Sequence, residues 1–263
     1  MLSASDIKVS LGRNPILHGV SLQAHPGEVT AVIGPNGSGK TTFMRALTGE
    51  LPFEGSASLN GIDISKAPAW KLAGVRGVLA QSTSLAFPFT VYEVVRLGLT
   101  AGVHPAGLRE AELVSMALAR VDLAGFGSRY YQELSGGEQQ RVQLARVLCQ
   151  VWEPSSDGAA RYLFLDEPVS SLDVKHQLQI MQVAAKFAMD GGAVFAIMHD
   201  LNLTAAFADS VTLLKQGRVY AQGSPKQVLE KNTLEAVYEC PMRVEQDALG
   251  MGLLVVPDLQ SKR

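Results

Sequence analysis

The first apolar runs of the chain are short and are broken by polar residues and glycines, a pattern that predicts β-strands. They are Ile7 to Leu11, Val20 to Gln23 and Val29 to Ile33. The third run is apolar enough for a buried strand, and a glycine-rich loop begins directly after it at Gly34. Beyond that loop, Phe43 to Thr48 continues as a helix closed by a glycine. We therefore predict strand, loop and helix in direct succession.

A tight hairpin and then a change of period follow. Ala57 to Leu59 and Ile62 to Ile64 flank Asn60-Gly61, a pair that favours a two-residue turn. From about Leu85 to Gln150 the apolar residues recur at helical spacing. The three helical runs in this region are Val91 to Leu99, Ala111 to Ala119 and Val142 to Leu148. We predict a helical lobe here.

Strand and helix patterns alternate in the second half of the chain. The predicted strands are Tyr162 to Leu165, Val194 to Met198, Val211 to Leu214 and Val219 to Ala221. The predicted helices include His176 to Met189 and Leu201 to Ala208. Such alternation is typical of a mostly parallel sheet covered by helices on both faces. The fold class is therefore α/β, with an N-terminal antiparallel β subdomain and an inserted helical lobe.

These patterns predict a single domain over residues 1–263. Its core takes residues about 1–84 and 151–231, and the helical lobe takes about 85–150. A C-terminal extension of about 232–263 has no assigned role. It could pack as a small added strand and helix, or contribute to dimer contacts.

Composition and charge narrow the class of protein. The chain is 47% hydrophobic and 18% charged, which fits a folded globular domain. Its 23 basic and 25 acidic residues leave a net charge of −2, which gives no electrostatic reason to expect a nucleic-acid partner. Cys149 and Cys240 lie far apart without metal-type spacing, so both are interpreted as ordinary reduced residues.

The sequence also bears on location. Its first residues, MLSASDIKVS, do not combine a basic segment with an apolar run. No stretch of the sequence approaches the roughly 18 apolar residues needed to cross a bilayer. We therefore expect a cytoplasmic chain that reaches a membrane only through other subunits.

The glycine-rich loop matches the phosphate-binding pattern, with a predicted strand before it and a predicted helix after it. Glycines let successive backbone N–H groups converge on phosphate oxygens, and the helix N-terminus adds its positive dipole end. Lys40 is expected to contact the β- and γ-phosphates of ATP, and Thr41 to supply a hydroxyl to Mg²⁺. A glycine turn without ligand is the alternative. The nine residues are Gly34, Pro35, Asn36, Gly37, Ser38, Gly39, Lys40, Thr41 and Thr42.

Two consecutive carboxylates end a later apolar strand. Tyr162 to Leu165 leads into Asp166 and Glu167, at the strand edge where ligands bind in open α/β sheets. One carboxylate can hold Mg²⁺, directly or through water, while its neighbour polarises the attacking water. We predict that Asp166 binds the metal and that Glu167 is the general base. A solvated strand end without chemistry is the alternative.

The segment Leu134 to Gln139, with the sequence LSGGEQ, resembles the signature of ATP-binding-cassette (ABC) ATPases. The resemblance extends from Ile7 to about Gln227 and implies an enzyme that hydrolyses ATP with Mg²⁺. It further implies a head-to-tail homodimer, in which the signature of one subunit contacts the γ-phosphate of nucleotide on the other. A helix N-terminus suits that anion. The residues expected at this interface are Ser135, Gly136, Gly137 and, at the dimer seam, Asp173.

Other positions follow the order of the same family. His199 resembles the switch histidine that contacts the γ-phosphate, and Gln81 resembles the residue that senses Mg²⁺, water and the transporter partner. The run Ser170-Ser171-Leu172-Asp173 also matches. Simpler alternatives remain open for two of these residues. His199 could be a structural histidine, and Asp173 could be only a helix N-cap.

One position departs from the family pattern. Leu11 stands where many relatives carry an aromatic residue that stacks on adenine, which puts stacking in doubt. The segment Leu85 to Tyr92, just after Gln81, is apolar and aromatic enough to suggest a docking groove for a short helix of a membrane partner. The alternative is that these residues belong to the core of the helical lobe.

A finer resemblance indicates importers of iron chelates, heme and cobalamin, on the segments His199 to Ala206 and Leu172 to Gln177. Within that branch, Trp152 to Arg161 and Gly49 to Leu51 are most similar to ATPases of hemin importers. The resemblance implies a homodimer joined to two integral-membrane permease subunits at the cytoplasmic face of a bacterial inner membrane. A periplasmic substrate-binding protein would act indirectly, and no nucleic acid is expected.

Three alternatives to hemin import are considered. The same role in a siderophore or cobalamin importer differs only in the substrate. A mechanical ATPase that acts on nucleic acid or ribosomes usually carries two cassettes or long basic inserts, which this sequence lacks. A regulatory module without turnover is disfavoured by the intact Glu167 and His199.

Overall fold

The fold is taken from a computed structural model that describes residues 1–81, 85, 87–101, 107–156, 158–170, 172–246 and 252–258. Its strands fall into two main sheets and two short hairpins. In chain order they are β1 Leu2–Leu11, β2 Asn14–Ala24, β3 Val29–Ile33, β4 Glu54–Leu59, β5 Ile62–Asp63, β6 Arg76–Leu79, β7 Ser155–Ser156, β8 Ala159–Ala160, β9 Tyr162–Asp166, β10 Ala193–Ile197, β11 Ser210–Lys215, β12 Arg218–Gly223, β13 Met242–Gln246 and β14 Leu253–Pro257.

The α-helices connect these strands and form one lobe beside the second sheet. In chain order they are α1 Lys40–Leu47, α2 Ala69–Ala73, α3 Val91–Arg96, α4 Glu110–Arg120, α5 Gly136–Gln150, α6 Val174–Met189, α7 Leu201–Phe207, α8 Pro225–Val228 and α9 Lys231–Tyr238. Short 3-10 turns lie at Leu97–Thr100 and Tyr131–Glu133. No helix among the described residues is long and apolar enough to span a membrane.

The N-terminal sheet is antiparallel, with the order β2-β1-β4-β5. Its β4–β5 hairpin turns at Asn60 and Gly61, whose φ values of 49° and 78° are both positive. Two successive positive φ angles are what a type I′ turn requires, and asparagine followed by glycine meets that need at low strain. The antiparallel subdomain and this hairpin are confirmed.

The second sheet has the order β12-β11-β3-β10-β9-β6 and is parallel except for β12. Strands β3, β9 and β10 are buried along their whole length. The strand nature of β6 was not predicted, because its four residues alternate only briefly. Since β3, β9 and β10 are parallel, their carboxyl ends meet at one edge of the sheet. The phosphate loop, Asp166 and His199 follow those ends.

Two hydrophobic cores lie on opposite faces of this sheet. Along β9, Leu163 and Leu165 face the core shared with α5 and α6, whereas Phe164 faces the core shared with α1 and the N-terminal sheet. Phe164 and Phe195 stack there with their ring centroids 5.3 Å apart. This period-two alternation is that of a strand buried on both faces, which holds the end of β9 in place.

Helices occupy the region where the lobe was predicted. Helix α5 packs against both α3 and α4, and its buried residues belong to the same core as β9. The chain passes very close to α5 at Gly98, where a side-chain Cβ would lie 2.0 Å from the Arg146 carbonyl oxygen. Only glycine permits that approach. The lobe is therefore tied to the sheet through α5.

The C-terminal extension contains α9 and the antiparallel β13–β14 hairpin. Met242 and Val255, one from each strand, are buried in the core that also holds β9. The extension thus has a helix and two strands, where one strand and one helix were suggested. It packs on the body of the domain beside α7.

Candidate functional site

The phosphate loop runs between β3 and α1 with positive φ angles at Gly34, Gly37 and Gly39. A Cβ at Gly34 would lie 2.3 Å from the Leu214 carbonyl oxygen of β11, so no larger residue fits there. Gly39 is the N-cap of α1 in the left-handed conformation. The glycines therefore let the loop curve closely around the N-terminus of α1.

A cavity of about 280 Å³ opens over this loop. Gly34 and Pro35, which were predicted to bind nucleotide, are not among its described lining residues. Their carbonyl oxygens instead hold Lys40. The lining residues are Ile16, Asn36, Gly37, Ser38, Gly39, Lys40, Thr41, Thr42 and Glu167.

Lys40 is buried at the base of the cavity. Its Nζ donates to the carbonyl oxygens of Gly34, at 2.8 Å, and Pro35, at 3.1 Å. Burial lowers the pKa of Lys40, while the Glu167 and Asp166 charges raise it. An ammonium group has three donors, so one remains to be directed at a phosphate oxygen. Lys40 is therefore a fixed cation at a pocket of backbone N–H groups.

Asp166 ends β9 beside the first turn of α1. Its Oδ1 lies 3.5 Å from Thr41 Oγ1, and the residue is 5% exposed. Burial, followed by the neighbouring Glu167 charge, raises the pKa of Asp166 to about 6. Each of these causes would be offset by a bound cation. The buried carboxylate is thus arranged for a positive charge.

The residues here fit Mg²⁺. The ion prefers oxygen ligands and is commonly bound through one or two carboxylates together with substrate phosphates and water. The Thr41 hydroxyl, the Asp166 carboxylate and the Gln81 amide oxygen are ligands of this kind. The described residues contain no group of three or more His, Cys, Asp or Glu side chains that could hold a metal alone. Ligands from ATP and water would therefore have to complete the coordination.

Glu167 follows Asp166 in a backbone conformation that is uncommon outside glycine. Its φ is 51°. Its N–H donates to the Ile197 carbonyl oxygen at 3.2 Å, and its own carbonyl oxygen accepts from Gln140 Nε2 at 3.1 Å. Non-glycine residues with positive φ cost energy and persist where their surroundings hold them, often at functional sites. These contacts turn the Glu167 side chain towards the cavity.

Two side chains from different parts of the chain meet the Glu167 carboxylate. Gln81 Nε2 donates to Oε2 at 2.9 Å, and His199 Nε2 lies 2.6 Å from Oε1. A carboxylate only accepts hydrogen bonds, so a hydrogen bond between these two groups requires the proton to lie on Nε2 of His199. The structure therefore brings together all three residues that were predicted to be catalytic.

The signature region is a separate surface. Ser135 is the N-cap of α5; its hydroxyl accepts from the Glu138 N–H at 3.4 Å, and its own N–H donates to the Glu138 carboxylate at 2.8 Å. Ser135 and Gly136 are exposed. Neither they nor Gly137 are among the described residues that line the phosphate cavity. The signature residues therefore do not belong to the described lining of this cavity.

Asp173 caps helix α6, as its alternative interpretation required. It accepts from the His176 N–H at 3.0 Å, and its Oδ1 lies 2.8 Å from His176 Nδ1. Asp173 is exposed and does not line the phosphate cavity. The capping role is confirmed, and the role at a dimer seam stays a prediction. Ser171 lies outside the described residues.

The adenine position and the docking segment have mixed outcomes. Leu11 is 45% exposed at the end of β1, whereas Ile16 of β2 lines the cavity.

In the segment from Leu85, Phe87 is 69% exposed and Phe89 lines a groove of about 300 Å³ beside α3. Val91 is buried in the core. The segment thus serves both the surface and the core; Ala86 lies outside the described residues.

Sequence reasoning missed two residues of this site. Gln140 holds the Glu167 backbone from the first turns of α5, and Ile16 lines the cavity. Gln140 belongs to a run of polar residues in a helix that is mostly buried, which is a signal that could have been noticed. Ile16 gave no such signal, because an apolar residue in a strand is ordinary core.

Known proteins of one family are similar to this chain. A family model described as ABC transporter matches residues 17–170. The chain is 56% identical to a hemin import ATP-binding protein HmuV of Jannaschia sp. strain CCS1, over 98% of this chain and 95% of the relative. It is 58% identical to the protein of that name from Rhizobium meliloti strain 1021, over 93% of each.

Solved structures share the fold. A metal-chelate type ABC transporter in an inward-facing conformation matches with a TM-score of 0.79 at 22% identity, over 99% of this chain and 98% of that chain. A dimeric bacterial ABC transporter cassette matches with a TM-score of 0.75 at 26% identity, over 86% of this chain and 99% of that chain. The α/β fold with a mostly parallel sheet is therefore confirmed.

Proposed function

Because this chain belongs to the ABC transporter family, we propose that it is the ATP-hydrolysing, energy-coupling subunit of a bacterial hemin importer. One observation carries the enzymatic part. The Glu167 carboxylate lines the phosphate cavity and is held by Gln81 and His199. The substrate part rests on relatives named hemin import ATP-binding protein that are 56% and 58% identical over more than nine-tenths of each chain.

The residues around the phosphate loop form what we term the phosphate half-site, which consists of residues 34–42, Gln81, Asp166, Glu167 and His199. In this half-site the backbone N–H groups of residues 36–39 and the Lys40 ammonium bind the β- and γ-phosphates. Thr41, Gln81 and Asp166 would hold Mg²⁺. When bound, Mg²⁺ neutralises charge on the phosphate oxygens and orients them for transfer.

Glu167 is the general base for the attacking water. Its carboxylate accepts the hydrogen bond through which that water is oriented in line with the γ-phosphorus. His199 bonds the same carboxylate in this structure. When ATP is bound, its Nε2–H can change partner and donate to a phosphate oxygen. Gln81 holds the second carboxylate oxygen. Together these two residues fix the position of the base.

The signature half-site consists of Ser135, Gly136, Gly137 and Asp173. We propose that it binds the γ-phosphate of ATP held by a second copy of this chain. Its helix N-terminus offers N–H donors and positive dipole to that anion. A closed head-to-tail homodimer then contains two complete sites. ATP closes the dimer, closure moves the membrane subunits, and hydrolysis with product release resets it.

The proposed assembly has two of these chains and two integral-membrane permease subunits at the cytoplasmic face of the inner membrane. A periplasmic substrate-binding protein delivers hemin to the permeases, so hemin does not touch this chain. The groove beside Phe89 is the docking place for a short permease helix. The whole of residues 1–263 is one ABC domain, with its core at about 1–84 and 151–231, a helical lobe at about 85–150 and an extension at about 232–263.

Reconstitution tests both parts of the proposal. Tagged Glu167→Gln protein is isolated with ATP from the native membranes, and its partners are identified. The wild-type complex is then placed in proteoliposomes with its periplasmic binding protein, and phosphate release is measured with hemin, cobalamin or a ferric siderophore. We expect a multi-span permease and stimulation by hemin alone.

The other outcomes distinguish the transport mechanism from the identity of the substrate. Stimulation by cobalamin or a siderophore would keep the importer mechanism and overturn hemin as the substrate. Capture of ribosomes or nucleic acid in place of a permease would overturn the transport role. Glu230→Gln is the matched control, because Glu230 is an exposed carboxylate outside the cavity lining.

A further inference from the structure

The catalytic histidine lies directly before a helix whose start is tightly capped. Asp200, the residue after His199, accepts from the N–H groups of Asn202 and Leu203, both at 2.8 Å. Its carbonyl oxygen accepts from Thr204 Oγ1 at 2.7 Å. These bonds join Asp200 rigidly to the first turn of α7. His199 is therefore held between the sheet, to which the Met198 N–H bonds through the Val32 carbonyl oxygen at 3.1 Å, and the first turn of α7.

The side chain of Asn202 fastens that same turn to the C-terminal hairpin. Asn202 Nδ2 donates to the Val255 carbonyl oxygen at 3.2 Å, and Asn202 Oδ1 accepts from the Val255 N–H at 2.8 Å. A side-chain amide has one acceptor and a donor in nearly the geometry of a peptide group. Asn202 thus pairs with the outer edge of β14 as a third strand would.

The hairpin is in turn anchored to the sheet that carries the phosphate loop. The Met242 N–H of β13 donates to Glu235 of α9 at 2.9 Å. Lys215, at the end of β11, donates to the Ala236 carbonyl oxygen at 2.6 Å and pairs with Glu239 at 3.0 Å. We call α9 with the β13–β14 hairpin the C-terminal brace. Because β11 lies beside β3, the brace and the phosphate loop share one support.

The brace also has a buried base. Val255 is 7% exposed and Met242 is 9% exposed, and both belong to the larger core. Tyr238, the last residue of α9, packs against the same core. A segment held by core packing is a firmer support than a loop held only by surface bonds.

We propose that Asn202 is a positioning residue for the ATPase reaction, which holds α7 against the C-terminal brace and so keeps His199 in contact with Glu167. The inference rests on the proposed role of Glu167 and His199. It assigns a role to the C-terminal extension, which belongs to neither the phosphate half-site nor the signature half-site. Asn202 acts through His199 and is not among the described residues that line the phosphate cavity.

Asn202→Ala removes both bonds to Val255 and leaves the backbone caps at Asp200 in place. Misplacing a catalytic group by about 1 Å can lower turnover about a hundredfold. Because the caps remain, we expect a smaller loss, of about tenfold in kcat. The Kd for ATP should stay within about twofold of wild type, since the phosphate loop is untouched. Phosphate release and equilibrium ATP binding on the purified full chain measure these two quantities.

Val255→Pro tests the same link from the other side. Proline removes the N–H that donates to Asn202. If the two residues act as one unit, Asn202→Ala with Val255→Pro lowers kcat no further than the more impaired single variant. Arg243→Ala is the control, because Arg243 lies exposed on β13 and pairs only with Glu245 among the contacts described. It should keep wild-type turnover.

The outcomes separate this inference from the proposed function. A wild-type protein that releases no phosphate from ATP, neither as the purified chain nor in its reconstituted complex, would overturn the proposed function. Normal kcat in folded Asn202→Ala, in a wild-type background that does hydrolyse ATP, would overturn the positioning role alone. Equal losses of ATP binding and kcat, or losses that multiply in the double variant, would show a merely structural contribution and also overturn it.

Discussion

The phosphate half-site and the signature half-site are built in different ways. In the first, residues from four separate segments meet within hydrogen-bonding distance, with Glu167 held by Gln81 and His199. In the second, the N–H of the exposed Ser135 donates to the carboxylate of Glu138, which is only three residues away. One chain therefore brings together the residues around the phosphate loop, while its exposed signature residues are not among the described residues that line the phosphate cavity.

This difference follows from how each region satisfies its polar groups. The phosphate half-site gathers a buried lysine and a buried carboxylate, whose pKa values burial shifts in opposite directions. Such charges are stabilised further when a ligand arrives. The capping box of the signature half-site pairs the N–H groups of Ser135 and Glu138 with each other's side chains, and it forms without a ligand. We infer that the phosphate half-site binds ATP without a second chain. The signature half-site contacts only ATP that is held by another copy.

The largest expected effect is at Glu167. Glu167→Gln keeps the size of the side chain and removes the base, and loss of general-base catalysis costs about 10²- to 10⁴-fold in rate. We expect kcat to fall about a thousandfold while ATP binding is retained. Phosphate release and equilibrium dialysis with labelled ATP measure the two properties. Unchanged turnover would remove Glu167 from the reaction, and Glu230→Gln should behave as wild type.

The second prediction concerns a substitution that disrupts the signature half-site and leaves the phosphate half-site unchanged. Gly136 is the first residue of α5, and a Cβ there meets no atom within 4 Å. Gly136→Asp therefore fits the folded chain, and a negative charge in the first helical turn favours the helix. It would, however, face the γ-phosphate on the second copy. Like charges at an interface cost several kcal/mol, so we expect turnover to fall about a hundredfold with ATP binding by the single chain retained.

Gly136→Asn is the matched control, because it has nearly the same shape without the charge. Turnover of the asparagine variant should exceed that of the aspartate variant at least about tenfold. Equal turnover in the two variants would mean that no anion approaches the signature. A loss of ATP binding by the isolated chain would place the signature in the same site as the loop.

The third prediction concerns the energy stored in the phosphate half-site. Burial raises the pKa of Asp166 in the folded chain to about 6 from its ordinary value of 3.8, so ionised Asp166 destabilises the metal-free protein. The penalty is small below pH 4, grows as the pH rises through 4 to 6, and is full above that range. Asp166→Asn should therefore stabilise the metal-free protein at pH 8 by on the order of 2 kcal/mol.

Thermal unfolding without nucleotide measures this effect. The Tm of Asp166→Asn should exceed that of wild type by several degrees at pH 8 and by much less at pH 5. The variant should also lose Mg²⁺-dependent turnover. A lower Tm at pH 8 would mean that Asp166 is stabilised by partners already present in the folded chain.

The smallest effect is expected at Leu11, next to the phosphate half-site along the predicted nucleotide. Leu11 is exposed at the end of β1, at the position where the resemblance to ABC ATPases led us to expect adenine. Leu11→Tyr should add stacking on adenine worth about 0.5–1.5 kcal/mol, which is about a three- to tenfold lower Kd for ATP. Turnover at saturating ATP should not change. Leu11→Ala serves as the control, and an unchanged Kd in the tyrosine variant would place adenine elsewhere.

The sequence predicted the residues that belong to compact motifs better than those that act through tertiary contacts. The phosphate loop and the Asp166-Glu167 pair lie next to buried strands, so strand pattern and local chemistry located them together. Helix α1 begins at Lys40, earlier than the predicted Phe43, because the polar Lys40 and Thr41 hide the helical period. The bonds between Asn202 and Val255 join residues 53 positions apart, which no local pattern reveals.

The clearest test of the two half-sites is the mass of the Glu167→Gln protein in solution, measured by light scattering after gel filtration. We predict the mass of one chain without nucleotide and of two chains with ATP. Adding Gly136→Asp should return the ATP-bound protein to one chain, while Gly136→Asn should not. A Glu167→Gln protein that binds ATP and stays a single chain, or a dimer that survives Gly136→Asp, would contradict the account.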